Sequence, residues 1–362
     1  MSNSSNFSGN IGEWSEVYVL LRLLADGKLV TAGADHAPNP NLYFPLTKVL
    51  REEGPNKDLE FVIDRTSEKI NVLENGKHVT SVDQSVFGQE ALILYEEMNA
   101  THDKPSFPAE HTEYFITSLG CESIKASSND KTDITVQIHD PQTGYEPVSG
   151  FSIKSQVGSP STLLNATKAT NFTYKVNGLN DADIAEINAI EGSHKIIDRM
   201  SAVFSRARSV VFSAVDNEIF ARNLMLIDSK MAEIVAEALI VHYRDNIKSI
   251  SKVIEILEED NPLGFPSEGF YRYKMKKLLC AIALGFQPAK SWDGTDEANG
   301  GYIVVTSSGD VVAYHIYNRS HFEDYLLEST KFERGSTGRH GFASLYKENG
   351  STYLKLNLQV RF

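Results

Sequence analysis

Two neighbouring segments near the middle of the chain carry side chains that could hydrolyse a phosphodiester bond. Residues 132–138 and 151–157 alternate polar and apolar side chains with the period of two that is typical of β-strands. They flank a turn-rich stretch at 140–144, which indicates an antiparallel hairpin. Residues that face each other in such a hairpin point to the same side of the sheet. The polar side of this hairpin is therefore the first place to expect a reactive site.

A carboxylate and an ammonium are predicted to meet on that polar side. With the hairpin centred between Thr143 and Gly144, Asp133 lies opposite Lys154. Hydrolysis that depends on Mg2+ needs oxygen ligands to hold the ion against the phosphate. It also needs a positive group that orients water and offsets the charge of the transition state. We predict Asp133 as a metal ligand and Lys154 as that positive group.

The same polar face lacks an acid where one is expected. Ser152 lies two residues before Lys154, at the position that is Asp or Glu in the PD-(D/E)xK nuclease pattern. The predicted site is therefore one acidic ligand short. Gln156 lies further along the same face, and Glu13 and Glu16 lie three residues apart on a predicted helix. We predict that Gln156 or one of these glutamates replaces the acid, with Gln156 and Glu16 as the further metal ligands.

Each of these patterns also has an ordinary structural interpretation. An Asp and a Lys on one strand face are typical of any half-exposed sheet, where they form a solvated salt bridge. Two glutamates on an amphipathic helix face solvent by default. The residues alone leave both interpretations open.

A polar segment near the end of the chain could contact DNA. Arginine and lysine side chains reach phosphates or guanine edges, and other polar side chains donate to bases. The alternative is an ordinary surface loop. The predicted DNA-contacting residues are Arg319, Lys331, Arg334, Arg339, His340 and, in the last strand, Gln359.

Bulk composition restricts the class of protein. The chain has 362 residues, 41% apolar and 23% charged, with a formal net charge of -13. This charge argues against a general nucleic-acid-coating protein but allows an enzyme whose positive charge is confined to one cleft. Cys121 and Cys280 lie far apart in no metal-binding spacing, and they predict reduced thiols in the cytoplasm. No signal peptide and no membrane span are expected.

The order of predicted elements divides the chain into four parts. We expect a flexible arm at 1–10, a nuclease core with the catalytic hairpin at 11–180, a helical region at 181–290 and a β-rich part at 291–362. This last part is predicted to complete the core. Its final strand alternates strictly from Leu354 to Phe362, which predicts one buried and one polar face. The fold class is α/β (α+β), a mixed β-sheet flanked by helices.

Three stretches of the sequence resemble one family. They are GEWSE at 12–16, GFSIKSQVGSPSTLLNA at 150–166 and YLKLNLQVRF at 353–362. All three resemble the HpaII family of type II restriction endonucleases, and together they span nearly the whole chain. The resemblance implies a PD-(D/E)xK-like core, Mg2+ as cofactor and cleavage of double-stranded DNA, with CCGG as the site of the family's type enzyme.

The resemblance also assigns residues. By motif, Asp133 and Lys154 match the family's catalytic aspartate and lysine, and the departure at Ser152 is implied to be shared within the HpaII type. A palindromic target would favour a homodimer at cleavage. The alternatives are another PD-(D/E)xK nuclease, for repair or nicking, and a catalytically silent DNA-binding protein.

Overall fold

The computed structural model describes residues 7–32, 37–101, 103–126, 132–141, 143–158, 161–315 and 319–362. The helices are α1 (Ile11–Asp26), α2 (Gln84–Ala100), α3 (Glu110–Ser118), α4 (Asp181–Ala189), α5 (Lys195–Arg206), α6 (Glu218–Ile227), α7 (Met231–Asp245), α8 (Ile250–Asp260), α9 (Phe270–Leu284), α10 (Arg319–Ser329) and α11 (Thr337–His340). The strands are β1 (Lys28–Ala32), β2 (Pro38–Gly54), β3 (Lys57–Asp64), β4 (Lys69–Glu74), β5 (Lys77–Asp83), β6 (Ile134–Ile138), β7 (Val148–Ser155), β8 (Thr162–Leu164), β9 (Asn171–Asn177), β10 (Ser209–Val215), β11 (Gly301–Val305), β12 (Val311–His315), β13 (Lys331–Phe332), β14 (Leu345–Glu348), β15 (Ser351–Asn357) and β16 (Val360–Arg361).

The chain forms two compact units that each combine distant parts of the sequence. Unit 1 contains residues up to 161 together with 296–325, and unit 2 contains 162–295 together with 326–362. These boundaries differ from the expected ones at 180 and 291. The C-terminal β-rich part is shared between the units, because β11 and β12 join the sheet of unit 1 whereas β14 and β15 join that of unit 2.

Unit 1 is built on a nine-stranded mixed sheet. Its strand order is β1-β12-β11-β7-β6-β2-β3-β4-β5, with β11 parallel to β7 and β6 antiparallel to β7. The predicted mixed sheet flanked by helices is confirmed. Strand β7 lies between two hydrogen-bonded neighbours, so its backbone is held on both sides.

Helix α1 follows the sequence pattern closely. Asn10 and Glu13 form a capping box at its start, and Gly27 ends it in the left-handed region at φ 60. The apolar stripe is buried, as Trp14 and Leu21 illustrate with no exposed surface. Residues 1–6 of the predicted flexible arm lie outside the described residues. Gly9 pairs with Phe107 and Asn10 caps the helix, so these two residues of the predicted arm contact the rest of unit 1.

The catalytic hairpin has a different register from the predicted one. Ile134 pairs with Phe151, and one further step places Asp133 across from Ser152 rather than Lys154. The reason lies in the turn, where the amide of Asp140 donates to the carbonyl of Tyr145. The hairpin centre is therefore one residue earlier than expected. Each residue of the first strand consequently faces a residue two positions earlier in the second strand than predicted.

Unit 2 packs helices α4 to α9 with two small sheets. The four-stranded sheet has the order β10-β9-β15-β14, and the three-stranded sheet has the order β13-β16-β8. The expectation that 181–290 is helical is wrong at β10, whose β-branched and aromatic run pairs with β9.

The last predicted strand is broken into two. Strand β15 ends at Asn357 and β16 begins at Val360, in different sheets. The apolar side is buried as predicted, but Asn357 and Gln359 on the polar side are buried too. Asn357 donates through Nδ2 to the carbonyl of Thr167 and to Oδ1 of Asn171, so its amide nitrogen is satisfied inside the unit.

Other sequence expectations concern thiols and membranes. Cys121 and Cys280 are both buried, and they belong to different units. Among the helices of the described ranges, none has the length and apolar character that a membrane span requires.

A buried histidine in unit 2 should make stability depend on pH. His242 has no exposed surface, and its Nδ1 lies 2.6 Å from the carbonyl oxygen of Ile247. Burial lowers the pKa of His242 from 6.5 to about 4. The unfolded chain then binds the proton more readily than the folded one between pH 6.5 and 4. The unfolding free energy should therefore fall as the pH drops, by about 2 kcal/mol between pH 7 and pH 5.

Urea denaturation of the wild type and of His242→Gln at pH 7 and pH 5 measures this contribution. The loss on acidification should be smaller in His242→Gln, because glutamine does not titrate. His194→Gln is the matched control, since His194 is exposed in the same unit. An equal loss in the wild type and in His242→Gln would contradict the assignment.

Candidate active site

A cavity of about 470 Å³ in unit 1 brings the predicted acidic and basic residues together. It is bordered by the start of α1, the loop before β6 and the end of β7. The charged side chains that line it are Glu13, Glu16, Asp133, Lys104, Lys125 and Lys154. Helix α1 contacts β7 directly, so the helix that carries the glutamates is packed against the strand that carries the lysine.

Ser152 connects the predicted aspartate and lysine. Its Oγ donates to Oδ2 of Asp133 over 2.9 Å and accepts from Nζ of Lys154 over 3.2 Å. The same Oδ2 accepts a hydrogen bond of 2.6 Å from the amide of Ile153. Two donors therefore fix one oxygen of Asp133, which leaves Oδ1 as the atom suited to hold a cation.

Lys154 is half-buried although it carries an ammonium group. Burial lowers the pKa of Lys154, while the charges of Asp133 and Glu16 act in the opposite direction. The ammonium also lies 5.3 Å from the centroid of the Tyr302 ring, within cation–π distance. A lysine in this setting loses its proton more easily than an exposed one.

Glu16 lines the same cavity as Asp133 and Lys154, so it is available to replace the acid that the pattern lacks at position 152. Its side chain is only 12% exposed. Burial raises the pKa of Glu16 to about 8, and the charge of Asp133 is the second cause. The two carboxylates are therefore close enough to repel each other. Such a pair favours either a shared proton or a bound cation.

Glu13 has a different role from Glu16. Its side chain is 30% exposed, and its Oε2 accepts from the amide of Asn10 in the capping box. Glu13 thus stabilises the first turn of α1, while it also lines the cavity.

Gln156 does not join this arrangement. It follows the last residue of β7, its side chain is exposed, and it is absent from the lining of the cavity. Its amide donates to the carbonyl of Val305 and so continues the pairing of β7 with β11. As a predicted metal ligand, Gln156 has less support than Glu16.

The residues predicted to contact DNA lie in several environments. Arg319 is in a helix and pairs with Glu323 at 3.2 Å and Asp296 at 3.8 Å, all within unit 1. In unit 2, Arg334 donates to the carbonyl of His242 and lies over the ring of Tyr243. Arg319 lies at the start of α10 rather than in a loop, whereas Arg334 lies in the loop between β13 and α11, and contact of either with DNA stays a prediction.

The remaining predicted DNA contacts also lie in unit 2. Lys331 belongs to β13 and pairs with Arg361, and Gln359 is buried with its carbonyl accepting from the amide of Glu333. His340 is half-buried, whereas Arg339 beside it on α11 is exposed.

Several residues at the cavity escaped the sequence analysis. Lys104 and Lys125 lie in loops without periodicity, and no spacing relates them to Asp133 or Lys154. Tyr302 belongs to β11, which comes far later in the chain and reaches Lys154 only because β11 pairs with β7. The proximity of Tyr302 to Lys154 follows from the parallel pairing of β11 with β7, which the sequence pattern does not show.

The donor set fits a divalent ion with hard-oxygen preference. Within the described ranges no group of three or more His, Cys, Asp or Glu side chains could hold a metal. Mg2+ is commonly held by one or two carboxylates, and it keeps several waters and binds phosphate oxygens. Asp133 and Glu16 supply the two carboxylates that such an ion needs, and a bound cation relieves the repulsion between them.

Comparison with known proteins identifies the family. The family model described as HpaII restriction endonuclease matches residues 10–362. The chain belongs to this family. It is also 40% identical over 359 residues to the type II restriction enzyme HpaII of Haemophilus parainfluenzae. The aligned region covers 98% of this chain and 99% of that enzyme. No solved structure matches the chain.

Membership in the HpaII family confirms the prediction of a type II restriction endonuclease, a site-specific enzyme. It also confirms the resemblance that was based on the three sequence stretches. The interpretation as a catalytically silent DNA-binding protein is correspondingly disfavoured.

The hydrogen bonds of Ser152 should matter for cleavage. In Ser152→Ala, Asp133 loses one of its two donors and Lys154 loses its acceptor. Losing such a supporting contact lowers activity by roughly 10- to 100-fold. Single-turnover cleavage of DNA measures this effect.

Ser149→Ala is the matched control, because Ser149 is another buried serine of β7. It should cleave within about twofold of the wild type. Thermal unfolding of both variants checks that they are folded. Wild-type cleavage by a folded Ser152→Ala would show that these hydrogen bonds are dispensable.

Proposed function

We propose that the chain hydrolyses phosphodiester bonds of double-stranded DNA with Mg2+, at CCGG-like sites, through a PD-(D/E)xK-like core. Type II restriction enzymes act on DNA and generally use a divalent metal ion. The observation that supports the proposal most is the chain of contacts from Asp133 through Ser152 to Lys154, with Glu16 at the same cavity. The CCGG-like site rests on the family resemblance.

Each residue of the cavity has a proposed role. Asp133 and Glu16 would hold the divalent ion, which when bound acts as a Lewis acid toward the phosphate. Lys154 holds the attacking water and offsets the negative charge that develops on the phosphate. The products are a 5′-phosphate and a 3′-hydroxyl, so the leaving oxygen takes up a proton.

Ser152 positions the two groups on either side of it. A carboxylate at 152 would place a further negative charge beside Asp133. The serine instead donates to that aspartate and accepts from the lysine. The acid expected at this position is then supplied from α1 by Glu16, so the number of acidic ligands matches the PD-(D/E)xK pattern.

DNA contacts outside the cavity are proposed for the residues whose side chains reach solvent. Arg339 is exposed, and Lys331 and His340 are half-buried. Arg334 and Gln359 have internal partners and are better suited to stabilising unit 2. A homodimer on a palindromic site remains our proposal, based on the symmetry of such a target.

The roles of the two glutamates can be separated by substitution. Glu16→Gln should lower single-turnover cleavage by about 100-fold or more, because it removes a metal-holding carboxylate. Glu13→Gln should cost less than about tenfold, since it alters a helix cap. Gln156→Ala serves as the exposed control and should cleave at the wild-type rate.

An equal loss in Glu16→Gln and Glu13→Gln would contradict this assignment. A strong loss in Gln156→Ala would restore Gln156 as the replacement for the acid. Circular dichroism of all three variants excludes unfolding as the cause.

Digestion of a sequenced plasmid tests the proposed function as a whole. The wild type should produce discrete double-strand fragments with Mg2+ and none with excess EDTA, and the mapped ends should fall at CCGG-like sequences. Lys154→Ala should lower the rate by about 100-fold or more, because the group that orients water is lost. Nicked circles instead of fragments would support a nicking or repair nuclease, and cleavage in EDTA would overturn the metal dependence.

A further inference from the structure

A second lysine enters the cavity opposite Lys154. The Nζ of Lys125 lies 3.5 Å from Oε1 of Glu13 and 3.8 Å from Oε1 of Glu16. Its side chain is 56% exposed, so one end of this ion pair faces solvent. The ammonium group of Lys125 therefore lies beside the carboxylate that is proposed to hold the divalent ion.

The loop that carries Lys125 is firmly held. Arg51 donates through Nη2 to the carbonyl of Ser123 over 2.6 Å and to that of Ile124 over 3.1 Å. Glu53 accepts from the amide of Glu122 over 2.8 Å. The backbone just before Lys125 is thus fixed from strand β2.

The anchor of this loop is a buried ion pair. Arg51 pairs with Glu53, and their side chains are 6% and 0% exposed. Charged groups that are taken out of water need this degree of pairing and hydrogen bonding. Two buried charged side chains therefore fix the loop that carries Lys125. A surface lysine without a function would not require its loop to be fixed by a buried ion pair.

Lys154 and Lys125 differ in how firmly their side chains are held. Lys154 is half-buried and hydrogen-bonded to Ser152. Lys125 has no such constraint at its exposed end, and its side chain can swing away while its backbone stays in place. Lys125 can therefore leave the carboxylates without disrupting the sheet.

We propose that Lys125 is a positioning residue that balances the charge of Glu16 and Glu13 until a divalent ion displaces it. This inference rests on the proposed function, because it assumes that Glu16 holds the ion. A divalent cation at Glu16 repels the ammonium group at short range. The displaced ammonium then lies at the open side of the cavity, where a DNA phosphate would attract it.

The binding of Mn2+ to the full-length protein without DNA tests this role. Free Mn2+ is measured by electron paramagnetic resonance under nitrogen from pH 7.0 to pH 9.0, and affinities are compared after correction for protonation of Glu16, because the charge of Lys125 lowers the pKa of that carboxyl. Lys125→Met should bind Mn2+ about five- to twentyfold more tightly than the wild type, because the competing charge is gone. Lys125→Arg should stay within about twofold of the wild type, because it keeps that charge.

Lys104→Met is the matched control. Lys104 lines the same cavity and is exposed, but it forms no ion pair with Glu13 or Glu16 within the described part of the chain. Its removal should change Mn2+ affinity less than twofold. Equal tightening in Lys104→Met and Lys125→Met would reduce the effect to net charge and overturn the proposal.

The DNA side of the proposal has its own readout. Lys125→Met should cleave plasmid DNA more slowly than the wild type at saturating Mg2+, although it binds Mn2+ more tightly. A merely structural lysine would not tighten metal binding when removed. Unchanged or weaker Mn2+ binding in Lys125→Met would therefore overturn the inference.

Failure of the proposed function would look different. It would appear as wild-type protein that neither binds Mn2+ nor cleaves plasmid DNA with Mg2+, and the inference would fall with it. Wild-type cleavage together with unchanged Mn2+ affinity in Lys125→Met would overturn the inference alone.

Discussion

Burial of charge at one end of β7 is the constraint on which the site depends. Lys154 is half-buried next to Asp133 and Glu16, and burial disfavours the charged forms of Lys154 and Glu16. The three charged groups stabilise one another, because opposite charges are close and Ser152 hydrogen-bonds to both Asp133 and Lys154. A central strand in a nine-stranded sheet and a capped helix packed on it supply the rigidity that this arrangement requires.

This constraint gives a physical account of the unusual serine. An acid at position 152 would add a second buried negative charge directly beside Asp133. Serine instead serves both neighbours through one hydroxyl. We propose that the missing carboxylate comes from Glu16 on α1, where burial raises its pKa to about 8. A site of this kind takes up a divalent ion most readily when that proton is absent.

The parts of the fold that follow local rules were predictable. Helix α1 begins at a capping box and ends at Gly27, and the hairpin turns at Asn75-Gly76 and Asn349-Gly350 adopt the positive φ values that such pairs favour. Local rules did not give the hairpin register, because the loop after β6 could close at more than one pair. They also failed for Asn357, whose burial depends on partners far away in the sequence.

The sequence by itself determined the enzyme family and the mixed α/β class, because these depend on short motifs and on periodicity that a single chain displays. It also indicated Asp133 and Lys154 as site residues, which stays a prediction, but it gave the wrong register between them. Only the tertiary structure decided that Ser152 lies between that pair, that Glu16 rather than Gln156 shares the cavity, and that Lys125 enters it. The physical reason is that a strand pattern specifies which side chains share a face. Which groups face each other across strands, helices and loops is set by register and packing, and these are properties of the folded chain as a whole.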